Sequence, residues 1–147
     1  VNEQTAEKTI GEVSYFIDLA YFDNANRSFG TIIRSRLCSK CQQRMAIELE
    51  KQTPEKLLST VKDCCSKLAD FITPKMPVSE KLFRIFLTSG NRPLKVTELI
   101  TKLADYSTGS FSLSDLALRR LLDGDQYYGF SQYSISNFEV GKDSSIG

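Results

Sequence analysis

The run from Glu80 to Ser134 contains four segments with separate periodicities: EKLFRIFLTSGN (80–91), PLKVTELITKLAD (93–105), SLSDLALRRLLDGD (112–125) and QYYGFSQYS (126–134). Val78, Leu82, Phe83, Phe86 and Leu87 recur at three- and four-residue steps. That spacing predicts a helix with one apolar stripe, stopped by Gly90-Asn91 and Pro93. Val96, Leu99, Ile100 and Leu103 predict a second helix, with Thr97 as its cap. After a turn-rich link over Tyr106–Ser110, Ser112 is placed as the N-cap of a third helix, with Asp115 three residues on. Leu113, Leu116, Ala117 and Leu121 are its predicted inner face, and Gly124 ends it. YYGFSQYSISNFEV (127–140) then alternates aromatic and polar residues, which predicts a β-hairpin.

This order of helix, short helix, turn, third helix and hairpin resembles the winged-helix superfamily over residues 78–140. The resemblance implies DNA binding through the third helix and wing, as in many members, or a docking role toward another protein, which other members serve. The third helix departs from a DNA reader. Projected at 100° per residue, its polar face holds Asp115, Arg119 and Asp123, with Arg120 to one side, where a DNA reader is more basic. Lys81, Arg84, Arg92, Lys95 and Lys102 lie on the two preceding helices instead. The segment DGDQYYGF (123–130) is no calcium loop, because its twelfth position is Ser134 and not Glu.

Upstream, Pro74 and Pro77 interrupt the pattern, which divides the chain near residue 74. The expected layout is a tail at 1–12, a helical four-Cys region at 13–74, a winged-helix-like domain at 75–140 and a tail at 141–147. The fold class is mostly α with one small hairpin. Val13–Phe22 fits both a strand, through alternation, and a helix, through Tyr15, Phe16, Leu19 and Phe22; helix is expected from its neighbours. Phe29, Ile32, Ile33 and Leu37 predict a helix ending at Cys38, and Met45 and Leu49 continue another after Cys41. Thr53-Pro54 predicts a helix start, with Leu57, Val61, Cys64, Leu68 and Ile72 on one apolar face.

Cys38-x-x-Cys41 is the common half-site of structural zinc, and Cys64-Cys65 supplies two further thiols. The adjacent pair departs from zinc-ribbon spacing. Both cysteines straddle the stripe centred on Val61 and Leu68, so both are expected to face inward. The expectation is a four-Cys site for Zn²⁺, with an iron–sulfur cluster as runner-up. The competing readings are buried core thiols and disulfide or redox pairs.

Arg27, Arg34, Arg36, Lys40 and Arg44 occur with no acid between Asn24 and Ile47, and with Lys95 and Lys102 they form the candidate nucleic-acid contacts. Set against this is a solvated face balanced by Glu48, Glu50 and Glu55. The net charge of +1 gives no global attraction for polyanions. The 147 residues contain no histidine, which excludes His-based triads and two-Cys two-His fingers within the chain. With no Gly-rich phosphate loop either, an enzyme is not expected. No window reaches the roughly 20 apolar residues of a membrane helix. The polar opening VNEQTAEKTIGE (1–12) lacks a basic n-region, so it does not read as a signal peptide, and a cytoplasmic location is expected. The expected function is non-enzymatic regulation, with DNA or RNA as partner or, alternatively, another protein.

Overall fold

The computed structural model describes residues 12–45 and 52–134. They form a mostly helical protein with a small antiparallel sheet. In chain order the elements are β1 (Ser14–Ile17), α1 (Leu19–Asn24), α2 (Phe29–Arg34), α3 (Ser39–Met45) and α4 (Pro54–Asp63). A single 3₁₀ turn follows at Cys65–Lys67. The second half supplies α5 (Val78–Thr88), β2 (Leu94–Lys95), α6 (Val96–Asp105), α7 (Asp115–Gly124) and β3 (Phe130–Tyr133). Among the described residues no helix is long and apolar enough to cross a membrane.

The helix expected over Val13–Phe22 is a strand followed by a helix. Tyr15 and Ile17 are fully buried while Ser14 and Phe16 are half-buried, the period-two pattern of a strand. Asp18 then ends the strand and caps α1 by accepting the Ala20 N–H at 3.1 Å. Tertiary pairing decided between two periodicities that the local sequence supports equally. β1 lies in the middle of the sheet, between β2 and β3, and is antiparallel to both. Ser14 faces Lys95 on one side and Tyr133 on the other; Ile17 faces Phe130. β2 is too short to reach Ile17, and a side chain takes over: Ile17 N–H donates to Asn91 Oδ1 at 2.8 Å, and Asn91 Nδ2 donates to Ile17 C=O at 2.9 Å. The segment expected as a hairpin thus contributes β3, which pairs with β1; residues 135–140 lie outside those described.

α5 is the central helix. Six of its eleven residues are buried, including Leu82, Phe83, Ile85, Phe86 and Leu87, which fits a helix packed on several sides. It packs against α4, α6 and β1. The buried side chains on both sides of Pro74 form one cluster, from Tyr15 and Ile33 to Leu118 and Phe130. The break in sequence pattern near residue 74 is therefore crossed by continuous packing.

Three cap and stripe expectations shift. The third helix is capped by Ser114, which accepts the Ala117 N–H at 3.0 Å, and not by Ser112. With that start its inner residues are Leu118 and Leu122, Leu121 is partly covered, and Leu116 is exposed at 47%. α6 begins one residue before Thr97, and Glu98 closes its first turn by accepting the Lys95 N–H at 3.1 Å. The helix from Thr53 stops at Asp63, well short of Ile72; Leu68 is exposed, whereas Phe71 and Ile72 are buried from an irregular segment. Leu49 lies outside the described residues.

Candidate metal centre

Cys38 sits at the entrance of α3. Its carbonyl accepts the Gln42 N–H at 2.9 Å, so it opens the helix, and Gln42 Nε2 reaches back to the Leu37 carbonyl at 2.8 Å. Cys41 is three residues on, which places its thiol above that of Cys38 on one side of the first turn.

The second pair needs a different device. On an unbroken helix Cys64 and Cys65 would point about 100° apart. The chain leaves the helix at Cys64 (φ −123°, ψ −68°), and the 3₁₀ turn that follows redirects Cys65. This is why α4 ends at Asp63, and it is what brings adjacent cysteines to one point.

All four sulfurs lie within 4.8 Å of one another. Cys41 Sγ is 3.3 Å from Cys64 Sγ, and Cys38 Sγ is 4.0 Å from Cys64 Sγ. A tetrahedral ion with sulfur bonds of ~2.3 Å wants sulfurs about 3.8 Å apart, in the middle of this range. None of the cysteines is in a disulfide. The Cys38 N–H donates to Cys65 Sγ at 3.2 Å, and Arg44 Nη2 lies 3.5 Å from Cys41 Sγ. Both contacts favour sulfur carrying negative charge. The four cysteines can therefore hold a metal ion.

The thiols are not equivalent. Cys41 and Cys65 are fully buried; Cys38 and Cys64 are half-buried and line an open cleft of about 520 Å³ with Lys40, Leu68, Phe71 and Arg84. The Cys41 N–H, donated to the Cys38 sulfur, draws the Cys38 thiol down to about 7. Burial pushes Cys41 and Cys65 up. A cation in the cluster would oppose that burial effect at Cys41 and Cys65, because it stabilises the thiolate directly.

The basic residues of the sequence reading divide into two groups. Arg27 is held between the Phe22 and Tyr127 rings, 5.2 and 4.2 Å from their centroids, and donates to the Tyr127 carbonyl at 2.6 Å. Arg36 makes a two-pronged pair with Glu80, at 2.7 and 2.8 Å, and donates to the Ile32 carbonyl at 2.8 Å. Those two guanidiniums serve internal contacts. Arg34, Lys40 and Arg44 are exposed; Lys40 lines the cleft of the cysteine cluster and Arg44 reaches Cys41, whereas Arg34 lines a separate cleft with Asp23, Asn26 and Pro54. Lys95 is exposed and pairs with Glu12 at 2.8 Å, and Lys102 is half-buried on α6. On α7, Arg119 is 3.7 Å from Asp123, whose other oxygen accepts the Tyr15 hydroxyl at 2.6 Å.

Glu80 was not singled out by sequence, yet it ties the cysteine region to α5. Its two oxygens accept from Arg36, from Arg84 Nε at 2.7 Å and from the Tyr128 hydroxyl at 2.9 Å. Burial raises its carboxyl, but the two guanidiniums and the phenol outweigh that and hold it down to about 2. The i,i+4 spacing of Glu80 and Arg84 is a signal in the sequence; the partner 44 residues away is not. No family model matches the chain, and no curated protein or solved structure matches it at a significant level.

Proposed function

We propose that this is a non-enzymatic regulatory protein in which Cys38, Cys41, Cys64 and Cys65 hold a structural zinc ion, and that it associates with nucleic acid through the basic residues around that ion. The observation that carries the metal reading is the convergence of four sulfurs within 4.8 Å from two separate elements. Zinc suits a closed set of four thiolates with no open position, which is a structural and not a catalytic arrangement. A reducing compartment such as the cytoplasm suits it too, since the ligands must remain thiolates.

Two features support the nucleic-acid part. The winged-helix reading builds on the element order α5, β2, α6, α7, β3, to which β1 adds a strand from the other half. Lys40 and Arg44 present two exposed cations beside the cluster, and Arg34 a third on the preceding helix. α7 is not the reading element in this proposal, because Arg119 and Asp123 face each other.

A second reading, a docking module for another protein, is favoured by the exposure of Leu116 (47%) on α7 and Tyr127 (50%) just beyond it. Elemental analysis of the purified chain, followed by exchange with Co²⁺, tests the metal. One ion per chain with tetrahedral thiolate absorption is expected, and a metal-free chain that takes up neither ion overturns it. A salt titration of DNA and RNA binding separates the two partners. Affinity that falls steeply with salt, and less steeply in an Arg34→Glu, Lys40→Glu variant, supports phosphate contact. Absence of binding at low salt rejects it in favour of docking.

A further inference from the structure

We propose that the cluster is also an oxidation site for a hydroperoxide, in which Cys64 is a member of every disulfide formed and disulfide closure releases the bound ion. The release of an ion rests on the metal reading above; the choice of thiols rests on the sulfur geometry alone.

Access comes first. Cys38, Cys64 and Cys65 line the 520 Å³ cleft, but of these only Cys38 and Cys64 expose surface; Cys65, like Cys41, is fully buried. A small peroxide entering from solvent meets only the Cys38–Cys64 edge. Proximity then fixes the pairing. The short sulfur–sulfur contacts are Cys41–Cys64 at 3.3 Å and Cys38–Cys64 at 4.0 Å, and both include Cys64. If the peroxide oxidises Cys64, Cys41 is the nearest attacking sulfur. If it oxidises Cys38, Cys64 is the other half-buried sulfur and lies 4.0 Å away. Either route ends with Cys64 in the disulfide. The position is suited to the movement, because a disulfide brings the sulfurs to about 2.05 Å, and Cys64 lies between α4 and the 3₁₀ turn, outside the regular helix. The Cys65 sulfur is engaged by the Cys38 N–H at 3.2 Å.

The chemistry balances with the hydroperoxide as the only added reagent. A thiolate attacks the peroxide, an S–O bond forms, the O–O bond breaks and the leaving oxygen takes a proton. The second thiolate attacks that sulfur, the S–S bond forms, and hydroxide departs and is protonated. Two thiolates lose two electrons and hydrogen peroxide becomes two waters. The two remaining cysteines cannot close a tetrahedral site, so the ion leaves and they take up protons.

The test uses the full chain loaded with Zn²⁺ and treated with stepwise hydrogen peroxide. Free zinc is read with a metal-sensitive dye, thiols by alkylation and mass, and linkages by peptide mapping without reduction. Loss of two thiols and one zinc ion per chain is expected, with Cys64 in every linked peptide. A Cys38–Cys41 link, a Cys65 link lacking Cys64, or four thiols that resist peroxide overturns the proposal. If the chain takes up no zinc, the metal reading fails, and the linkage map of that same metal-free chain still decides which thiols pair.

Discussion

Replacing Glu80 with Gln removes the carboxylate that Arg36, Arg84 and Tyr128 share, and its effect depends on pH in a calculable way. The Glu80 side chain is 14% exposed, so solvent screening is modest. Its carboxyl titrates near 2 in the folded chain against an ordinary 4.5. That difference corresponds to about 3 kcal/mol of stability at neutral pH. The folded pKa is the lower one, so protons bind the unfolded chain more readily. The contribution is therefore complete above 4.5 and is lost as pH falls toward 2. By pH 3 about 1.5 kcal/mol remains. Glu80→Gln has no such titration. The stability difference between the native chain and the variant, from urea unfolding followed by circular dichroism, should accordingly narrow by about 2 kcal/mol between pH 7 and pH 3. Thiolate protonation acts on both chains and cancels in the difference. A difference that is flat with pH, or under about 1 kcal/mol at pH 7, would refute the view that Glu80 is a stabilising junction, since loss of one partner from a buried pair costs about 3–5 kcal/mol.

Gly129→Ala should lower stability by about 2–3 kcal/mol, measured by thermal unfolding. Gly129 has φ +76°, and an added Cβ would lie 3.0 Å from the ring of Phe22, which is fully buried and has no room to retreat. Asn91→Ala strips both side-chain bonds from Ile17 and should cost about 2 kcal/mol, with faster hydrogen exchange at the Ile17 amide as the specific readout. Chelation of the metal, or Cys41→Ser, should raise hydrogen exchange over residues 38–45 and 61–67 first, while α5 and α6 keep their protection; simultaneous loss everywhere would mean that the ion supports the whole core.

Several features of this protein follow from local sequence because their physics is local. Helices α5 and α6 are legible from apolar residues three and four apart, and α4 from Thr53-Pro54 at its start. The candidate ligands are legible as well: the spacing of Cys38 and Cys41 puts both on one helical turn, a common metal half-site, with two more cysteines 23 or more residues on. What local sequence leaves open is every choice between two conformations of similar local energy. Ser14–Ile17 became a strand because β2 and β3 offered it hydrogen bonds from residues about 80 and 115 positions away. The α4 stripe continues in sequence to Ile72, yet the helix breaks at Cys64, because adjacent thiols converge only where the backbone turns between them.

Charge was the least legible property. Arg27 and Arg36 look the same in sequence as Arg34 and Lys40, but two are enclosed by aromatic rings and a carboxylate while two face water. Sequence alone determined that this chain has helices with an apolar face, four thiols in two pairs and no histidine. Only the tertiary structure decided that the thiols meet, that β1 joins the sheet and which cations stay exposed. Each of those outcomes depends on groups far apart in the chain, whose encounter is a property of packing and not of local spacing.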